Sequence, residues 1–566
     1  MGSACVLLKS ELEIPKHEVA PEHREDEIAR FEASLMETRR QISEIRAEVA
    51  EKVGESEAAI FDAHQLVLED RALIEEAVRE VVEGGYNIEY SFHRVANRYI
   101  EAFSQIEDEY IKERASDIKD VTRRLLSNLI GRQDVVIDAS RATDIIVADD
   151  VSPSEASQLD HASLKAIATD HGSRNSHTVI MARSMGVPCV IGLKDLTSRI
   201  QPEDEILVDG FDGIVIINPS ESSRYKYGQL QIERDRVTKV FTDSKYEPAA
   251  TSDGTEYQVM LNIEGHETTE QLQSSGAGGI GLFRTENLFL GRKDFPDEEE
   301  QYAIYKRVAE AVSPKPVTIR TLDLGGDKNP HNSLYGYSEA NPFMGYRAIR
   351  FCLDHPTVFK AQLRAILRAS AHGNIRVLYP MIASCEELVK ANFLLEECKE
   401  ELKSEGVAYD AEIARGCMIE IPSAAVITDL LAEHCDFFSI GTNDLVQYLL
   451  AVDRVNERIA HLYNPCQPAV LRSLSFIFAS SHRKKKPVSV CGEMAGDPLY
   501  APLLLGLGAD ELSVSQSSVA EVKFLIRKLS KDKLVEIAKE LQHMTDSELI
   551  EKRLLEIHDQ LVADAV

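Results

Sequence analysis

Apolar side chains in the first part of the chain recur every three to four residues, the spacing that places them on one face of an α-helix. The two longest series span residues 28–49 and 92–129. Shorter helical stretches lie between them, at about 60–68 and 72–82, and Gly84-Gly85 ends the second of these. Long apolar stripes with short connections predict a bundle of helices built on a hairpin.

The pattern changes near residue 134, where short runs of aliphatic and β-branched residues replace the helical spacing. These runs cover residues 135–137, 145–147, 166–168, 189–191, 206–208 and 214–217. Asp, Gly, Ser and Pro separate them, and a Gly-containing segment between the last two suits a hairpin turn. We expect a small α/β domain here. A polar helical stretch from 220 to about 239 follows it and predicts a linker helix.

Beyond Gly254, eight apolar strand candidates follow one another, and stretches that can form helices separate most of them. The candidates are residues 258–263, 279–283, 317–321, 376–381, 416–421, 437–440, 488–490 and 511–514. Eight strands with intervening helices over about 310 residues predict a TIM (β/α)8 barrel with one enlarged loop after its third strand. In such barrels the catalytic groups lie at the carboxyl ends of the strands.

Charged and polar residues stand at those predicted strand ends. They are Arg284 after the second strand, Arg320 and Asp323 at the third, Glu420 at the fifth, Asn443 and Asp444 after the sixth, Arg454 further downstream, and Cys491 after the seventh. Arginine suits phosphate and carboxylate oxygens, and Mg²⁺ is held by one or two carboxylates together with substrate oxygens. A phosphorylated carboxylic acid with a divalent metal on Glu420 and Asp444 is the simplest ligand. The alternative is that these charges form salt bridges at the barrel rim.

A second group of polar residues occupies positions 169–183, with the sequence TDHGSRNSHTVIMAR. A strand is predicted to end near Ala168 and a helix to begin near Ser176, so that His177 falls in the first helical turn. Free N–H groups and the helix dipole favour an anion there. His177 could therefore carry a phosphoryl group as a covalent intermediate. The alternative is a structural histidine at a helix terminus.

Composition narrows the class of protein. The 566 residues carry a formal net charge of −31, which disfavours binding to a nucleic-acid backbone. No apolar run reaches the roughly 18 residues of a membrane helix, and the first residues lack the features of a signal peptide. Nine dispersed cysteines favour reduced thiols over a disulfide framework. We therefore expect a cytoplasmic protein that binds neither membranes nor nucleic acid.

The segment around His177 resembles the phosphohistidine motif of the phosphoenolpyruvate (PEP)-utilising enzymes. Four further segments are similar to barrel motifs of that family: GLFRTE at 281–286, RTLDLGGDK at 320–328, NPFMGYR at 341–347 and GTNDL at 441–445. A helical domain before the phosphohistidine segment, without an ATP-binding module, resembles more narrowly the Enzyme I family of the bacterial phosphotransferase system. The resemblance covers nearly the whole chain.

The resemblance implies an enzyme that transfers the phosphoryl group of PEP to His177 and then to the carrier protein HPr, releasing pyruvate. It also implies roles for the residues at the strand ends. Arg284, Arg320, Asn443, Asp444 and Arg454 would bind PEP, with Lys328 and Arg347 as additional candidates; Glu420 and Asp444 would bind Mg²⁺; Cys491 would protonate the enolate. A homodimer formed through the barrel is expected.

The resemblance also implies domain limits. These are 1–20 with 134–219 for the phosphohistidine domain, 21–133 for the helical HPr-binding domain, 220–249 for the linker helix, and 250–566 for the PEP-binding barrel and dimerisation domain. The predicted HPr-docking stretch is 56–70, with Phe61, His64 and Leu68, although each of these could equally be bundle core.

Two features depart from the family pattern. The first strand is expected to be missing or shortened, and the loop before His177 reads Asp170-His171-Gly172-Ser173 in place of a small residue and two glycines. We expect His171 to be a solvent-facing loop residue.

Two alternative functions belong to other classes. One is a fragment of a pyruvate phosphate dikinase-like or PEP synthase-like enzyme, which would require an ATP-grasp domain. The other is a regulatory protein that binds PEP or HPr without turnover. Loss of His177, Glu420 or Cys491 would favour the regulatory protein, and all three are present.

Overall fold

A computed structural model describes residues 1–7, 12–52, 60–104, 109–131, 145–151, 155, 164–172, 178–179, 182, 186–201, 204–289, 292, 294–325, 341–454, 456 and 458–563. These residues form two compact units, Met1–Gln229 and Leu230–Val566. Each unit has hydrophobic cores of its own. No helix in the described part of the chain is both long enough and apolar enough to cross a membrane.

The first unit contains a six-stranded sheet. Its strands are β1 (Gly2–Leu7), β2 (Ile145–Ala148), β3 (Ala166–Thr169), β4 (Cys189–Val190), β5 (Glu205–Asp209) and β6 (Ile214–Ile217). They lie in the order β4-β3-β2-β1-β5-β6, with β1 to β4 parallel and β5 and β6 antiparallel to their neighbours. Successive side chains point to opposite faces, so Ile146 and Ile145 contribute to two different cores.

The first strand, which the sequence predicts to be short or missing, is present as six residues between β2 and β5. The strand predicted at 135–137 lies outside the described residues. The hairpin predicted at 206–217 is formed by β5 and β6, and Asp209 Oδ1 accepts hydrogen bonds from the backbone N–H groups of Phe211 and Asp212 in its turn.

A bundle of helices is inserted between β1 and β2. It comprises a short 3-10 helix (Pro21–His23), α1 (Arg24–Lys52), α2 (Ile60–Leu68), α3 (Arg71–Gly84), α4 (Ile88–Ser104) and α5 (Glu109–Ile130). Their apolar faces meet in one core around Phe31, Phe92 and Leu125. Gly85 ends α3 in the left-handed conformation with φ 69°, as the Gly84-Gly85 pair predicts.

Three residues of the predicted HPr-docking stretch belong to this core. Phe61, His64 and Leu68 are each at most 3% exposed. The rings of Phe61 and His64 meet edge to face with centroids 5.4 Å apart, and His64 Nε2 lies 3.3 Å from Asp117 Oδ1. These three side chains are therefore bundle core, and their assignment to a docking surface was wrong. Helical spacing did not separate the two interpretations, because a core face and a docking face are both apolar.

After β4 come α6 (Leu196–Arg199), the β5–β6 hairpin and a long helix, α7 (Glu221–Asp243). Helix α7 lies where the sequence predicts a linker helix, and the division between the two compact units falls within it. Its action as a linker, and the domain limits given above, stay predictions.

The second unit is a closed barrel of eight parallel strands. They are β7 (Gln258–Ile263), β8 (Ile280–Phe283), β9 (Val317–Arg320), β10 (Ile375–Tyr379), β11 (Ala414–Ile419), β12 (Phe437–Gly441), β13 (Val488–Cys491) and β14 (Glu511–Val514). They follow one another around the barrel in chain order, and β14 pairs with β7 to close it. Every strand lies within two residues of its predicted limits.

Helices follow the strands around the outside of the barrel. They are α8 (Thr269–Ser274), α9 (Glu298–Val312), α10 (Ile349–Asp354), α11 (Pro356–Ser370), α12 (Cys385–Glu405), α13 (Pro422–Val426), α14 (Thr428–Leu431), α15 (Thr442–Leu450), α16 (Pro468–Arg483), α17 (Glu493–Gly496), α18 (Ala501–Leu507), α19 (Val519–Lys528), α20 (Lys531–Gln542) and α21 (Ser547–Ala563). Short 3-10 helices occur at Glu286–Leu288, Pro342–Met344, Ala460–Leu462 and Pro498–Tyr500.

Alternation along the strands builds two layers. Outward side chains such as Ile319 and Ile440 pack against the helices in the main core, whereas Leu378, Met418 and Phe437 pack inside the barrel. The connection from β9 to α10 is the enlarged loop expected after the third strand, and its residues 326–340 lie outside the described part. The predicted fold class is thus confirmed: a helical bundle inserted in a small α/β domain, followed by a TIM barrel.

Candidate active site

The carboxyl ends of the barrel strands bring the predicted site residues to one rim. Arg320 and Cys491 are the last residues of β9 and β13, Arg284 and Glu420 directly follow β8 and β11, and Asn443 and Asp444 lie in the first turn of α15 after β12. Parallel strands of a barrel all end on the same side, which is where TIM-barrel enzymes place their chemistry. Five separate strands therefore contribute to one surface.

Arg320 is buried and held by two carboxylates. Its Nη2 donates to Glu286 Oε1 at 2.7 Å, and its Nη1 lies 3.2 Å from Asp323 Oδ2. Burial acts to lower the pKa of Arg320, but the charges of Glu286, Asp323 and Glu420 outweigh it and raise that pKa above its ordinary value. The Nε of Arg320 is buried without a hydrogen-bond partner among the described residues. One donor of this fixed guanidinium is thus unsatisfied among the described residues.

Arg347 links the enlarged loop to the opposite side of the rim. Its Nη2 donates to both carboxylate oxygens of Asp323, at 3.0 and 3.1 Å, and its Nη1 donates to Asp444 Oδ1 at 3.2 Å. The same Nη1 donates to the Tyr448 hydroxyl at 3.4 Å. Arg347 is 1% exposed, and its donors are engaged within the protein. Its position indicates that it fixes Asp323 and Asp444 in place.

Glu420 is a buried carboxylate between two backbone segments. Its Oε1 accepts a hydrogen bond of 2.5 Å from the N–H of Met381, which has an unusual positive φ of 56° just beyond β10. Its Oε2 lies against Gly441. Burial, together with the charges of Asp444 and Asp323, raises the pKa of Glu420 to about 8, although Arg320 and Arg347 act in the opposite direction. The site therefore holds this carboxylate where negative charge is unfavourable.

Among the residues that the structure describes, carboxylates outnumber guanidinium groups in the buried part of the site. Glu286, Asp323, Glu420 and Asp444 are buried there, and the buried cations facing them are Arg320 and Arg347. A divalent cation would compensate this excess of negative charge. Among the described residues no group of three or more His, Cys, Asp or Glu has the arrangement of a metal site. Two carboxylates with substrate and water oxygens are the usual ligands of Mg²⁺, so the donor set fits that ion.

Cys491 lies inside the barrel, 1% exposed, among Leu378 and Met418. Its thiol accepts a hydrogen bond from Ser439 Oγ at 3.4 Å and donates to the carbonyl oxygen of Ile440 at 3.4 Å. Burial raises the pKa of Cys491 above its ordinary value, despite the opposing effect of the Ser439 hydrogen bond. The sulfur is therefore protonated near neutral pH and can act as a proton donor.

The remaining predicted residues lie at the edge of the rim. Asn443 and Glu493 form two hydrogen bonds, from Asn443 Nδ2 to Glu493 Oε1 at 3.1 Å and from the Glu493 N–H to Asn443 Oδ1 at 2.8 Å. Arg454 Nη1 lies 3.6 Å from the same Glu493 Oε1, and Arg284 Nη1 lies 3.8 Å from Glu264 Oε1. Arg284 is partly exposed. Arg284, Asn443 and Arg454 are thus less buried than Arg320 and Glu420.

Two predicted residues, His177 and Lys328, lie outside the described residues. Close to His177, Thr178 donates from Oγ1 to the carbonyl oxygen of Val151 at 2.9 Å. Asp170 accepts hydrogen bonds from the N–H groups of Leu196 and Thr197, and so joins the end of β3 to the start of α6. His171 is exposed, as expected, with Nδ1 2.8 Å from Asp149 Oδ1.

Sequence reasoning missed Glu286, Met381, Ser439 and Gly441. Glu286 and Gly441 stand in the GLFRTE and GTNDL segments, but only as neighbours of Arg284 and Asn443. Each lies next to a site residue at least 21 positions away in the chain; Glu286, for example, accepts a hydrogen bond from Arg320. The inward direction of alternate strand residues is the signal that points to Ser439 and Gly441.

The chain matches three family models of PEP-utilising enzymes. They are the PEP-binding domain over residues 239–531, the N-terminal domain over 1–114 and the mobile domain over 140–213. It is also similar to proteins named phosphoenolpyruvate-protein phosphotransferase. That of Bacillus sp. (strain S) is 43% identical over 516 residues, which cover 91% of this chain and 89% of the relative. That of Listeria innocua serovar 6a is 40% identical over 556 residues, covering 97% and 96%. That of Bacillus subtilis (strain 168) is 40% identical over 527 residues, covering 93% and 92%. The chain therefore belongs to the PEP-utilising enzymes, as a member of their phosphoenolpyruvate-protein phosphotransferase family.

Proposed function

We propose that the protein transfers the phosphoryl group of PEP to His177 and from there to the carrier protein HPr, releasing pyruvate as the first step of the phosphotransferase system. The observation that carries this proposal is the rim of the closed barrel. Buried arginines, two candidate metal carboxylates and a protonated thiol meet there. PEP is a phosphorylated carboxylic acid, and these groups suit its two anionic ends and its reactive carbon.

The arginines divide into two roles. Arg284, Arg320 and Arg454, with Asn443, would hold the phosphate and carboxylate of PEP, because guanidinium forks pair with both groups. Arg320 is the most constrained of them, since Glu286 and Asp323 fix its guanidinium. Arg347 keeps Asp323 and Asp444 in position instead. Lys328 is a further candidate for the phosphate.

Glu420 and Asp444 would hold Mg²⁺ together with oxygen atoms of PEP. When bound, the ion would neutralise charge on the phosphate and on the enolate oxygen. The chain contributes a fixed geometry: the Met381 N–H holds Glu420, Gly441 leaves space for its carboxylate, and Arg347 holds Asp444. Catalysis then consists mainly of positioning and charge neutralisation.

The reaction consists of a phosphoryl transfer followed by a proton transfer. In the first, a P–N bond forms at His177 while the bond between phosphorus and the enol oxygen breaks, which leaves the enolate of pyruvate. In the second, the S–H bond of Cys491 breaks and a C–H bond forms at the methylene carbon of the enolate. Cys491 is left as a thiolate and regains its proton from solvent. Its buried, protonated state in the free protein is what this role requires.

The helical bundle would receive HPr, and the small α/β domain would carry His177 between PEP and HPr. The proposed limits are 1–20 with 134–219 for the His177 domain, 21–133 for the bundle, 220–249 for the linker and 250–566 for the barrel. Because Phe61, His64 and Leu68 are buried, the docking surface must use other side chains of the bundle.

An apolar surface on the barrel supports the proposed homodimer. Val389 and Phe393 are exposed on α12, Val426 on α13 and Leu430 on α14, and these helices pack against one another. Phe393 and Val426 are 63% and 68% exposed. Large apolar side chains exposed on neighbouring helices are typical of protein interfaces. We propose that this surface, formed by Val389, Phe393, Val426 and Leu430, joins two barrels.

Labelling with PEP that carries radioactive phosphate tests the proposed function. The chain alone should become labelled, and addition of HPr should move the label to HPr. His177→Ala should abolish labelling while PEP and Mg²⁺ still bind, as calorimetry would show, because the binding groups belong to the barrel. His171→Ala, a change at an exposed neighbour, is the matched control and should label normally. Binding of PEP without any label on the unaltered chain would instead identify a regulatory protein.

A further inference from the structure

The Cys491 thiol lies in an apolar part of the barrel interior, between strands β12 and β13. Leu378 and Met418 pack around it, and it is 1% exposed. A thiolate formed there loses most of the solvation that water would provide. The step that protonates the enolate must form such a thiolate. The rate of this proton transfer therefore depends on the groups of the protein that stabilise negative charge on the sulfur.

Ser439 provides a hydrogen-bond donor to that sulfur. It lies on β12 and is fully buried, and its Oγ donates to Cys491 Sγ at 3.4 Å. The thiol in turn donates to the carbonyl oxygen of Ile440 at 3.4 Å. The hydroxyl thus occupies an acceptor position of the sulfur, and the S–H bond must turn from the Ile440 carbonyl oxygen to the enolate carbon when the proton is transferred. A hydrogen bond to a charged group is stronger than one to a neutral group, so this contact strengthens as the thiolate forms.

The neighbouring serine on β13 has a different partner. Ser489 pairs with Ser439 across the two strands, and it is also buried. Its Oγ donates to the carbonyl oxygen of Phe438 at 3.3 Å. The two serines thus share strand position, burial and chemistry, and they differ in whether the hydroxyl reaches the thiol. Ser489 is therefore a matched control for Ser439.

We propose that Ser439 is a positioning residue for the proton transfer: its hydroxyl orients the Cys491 thiol in the free protein and stabilises the thiolate after the proton has moved to the enolate carbon. The inference rests on the proposed role of Cys491 as the acid. Ser439 takes no part in phosphoryl transfer, because it reaches the reacting atoms only through the sulfur. The effects of its removal should be confined to the second half of the reaction.

Ser439→Ala and Ser489→Ala test this in the full-length protein, after circular dichroism has shown that both fold. In Ser439→Ala we expect kcat to fall by about tenfold, with KM for PEP little changed and rapid formation of phosphohistidine intact. The solvent isotope effect on kcat, measured in H2O and D2O, should rise because proton transfer limits the rate more strongly. Ser489→Ala should behave as the unaltered protein. Ser439→Cys, a nearly isosteric change to a weaker donor, should give intermediate values.

A double-mutant cycle separates this inference from the proposed function. In the Cys491→Ala background, Ser439→Ala should have no further effect on kcat. An equal fall in both backgrounds would show that Ser439 does not act through the thiol and would overturn the inference alone. The inference alone would also be overturned if Ser439→Ala left kcat and the isotope effect unchanged while Cys491→Ala was slow. Full turnover of Cys491→Ala would overturn the acid role and the role of Ser439 together.

Discussion

Gly441 leaves the space that the carboxylate of Glu420 occupies beside the neighbouring strand: a Cβ at position 441 would lie 2.5 Å from Glu420 Oε2 and 3.0 Å from Glu420 Cβ. The other carboxylate oxygen accepts the N–H of Met381. Glu420 is thus held between a backbone donor on one side and a residue without a side chain on the other. Its position therefore depends on the backbone just beyond β10 and on the absence of a side chain at the end of β12.

Gly441→Ala should displace the Glu420 carboxylate and weaken Mg²⁺ binding. Changes to groups that position a metal ligand typically reduce metal affinity by 10–100-fold, so we expect the Mg²⁺ concentration for half-maximal activity to rise by about tenfold. A titration of activity with Mg²⁺ measures this. Gly496→Ala is the control, since no heavy atom lies within 4 Å of the Cβ it adds. An unaltered titration for Gly441→Ala would contradict the assignment of Glu420 to the metal.

The sequence predicted the barrel and much of its rim because both depend on local patterns. Each strand is a short apolar run, and Arg320 or Cys491 stands at the end of one. The contacts that orient these groups depend on register across the barrel and were not predictable. Ser439 reaches Cys491 over 52 positions, and a single sequence does not reveal such a pairing. The apolar spacing likewise did not show that Phe61 faces the bundle core.

Cys491→Ala should slow steady-state turnover while phosphohistidine still forms. Loss of a general acid typically costs 10²–10⁴-fold in rate, and phosphoryl transfer precedes the step that needs the thiol. Rapid-quench labelling and a pyruvate assay on the same samples measure the two steps. Cys385→Ala, at a partly exposed cysteine on α12, should leave both steps unchanged. A normal pyruvate rate in Cys491→Ala would remove the thiol from the mechanism.

Phe393→Glu should weaken self-association, because it places a charge in the exposed apolar surface of α12, α13 and α14. A buried unpaired charge at an interface typically costs several kcal/mol, so the dimer should dissociate at protein concentrations where the unaltered protein remains dimeric. Sedimentation velocity over a concentration series measures this. Leu549→Glu, on a different helix with similar exposure, should leave the association state unchanged. A Phe393→Glu variant that remains dimeric over the same concentration series would place the interface elsewhere.

His558 should make the barrel unit more stable in mild acid than in mild base. Its Nε2 lies 3.0 Å from Glu521 Oε1 on α19, and this hydrogen bond raises the pKa of His558 although burial opposes it. A histidine whose pKa is higher in the folded state stabilises the fold when it is protonated. This contribution is complete at pH values below the pKa of the unfolded state, about 6.5, and is lost as pH rises through the pKa of the folded state. The difference in melting temperature between pH 5.5 and pH 8.5 should be smaller by about 1 °C in His558→Gln than in the unaltered protein. His434→Gln, at an exposed histidine, should leave the profile unchanged.

The two compact units should be separable in function. The cores of the first unit contain residues from 4 to 217, and the main core of the second contains residues from 249 to 557. A fragment of residues 1–239 should therefore fold and accept phosphate from phosphorylated HPr, because that exchange needs only the bundle and the His177 domain. A fragment of residues 250–566 should bind PEP without retaining phosphate. Circular dichroism checks folding, and labelling with phosphorylated HPr or PEP measures transfer.

The decisive comparison gives each phosphate donor to the same N-terminal fragment. Phosphorylated HPr should label it and PEP should not, because Arg320, Glu420 and Asp444 belong to the other unit. The fragment carrying His177→Ala should take label from neither donor, which controls for transfer to another side chain. Label taken directly from PEP by the folded N-terminal fragment would show that the substrate site is not at the barrel rim. Absence of label from phosphorylated HPr would instead contradict the proposed exchange between HPr and His177, since the fragment contains both the bundle that would dock HPr and the domain that carries His177.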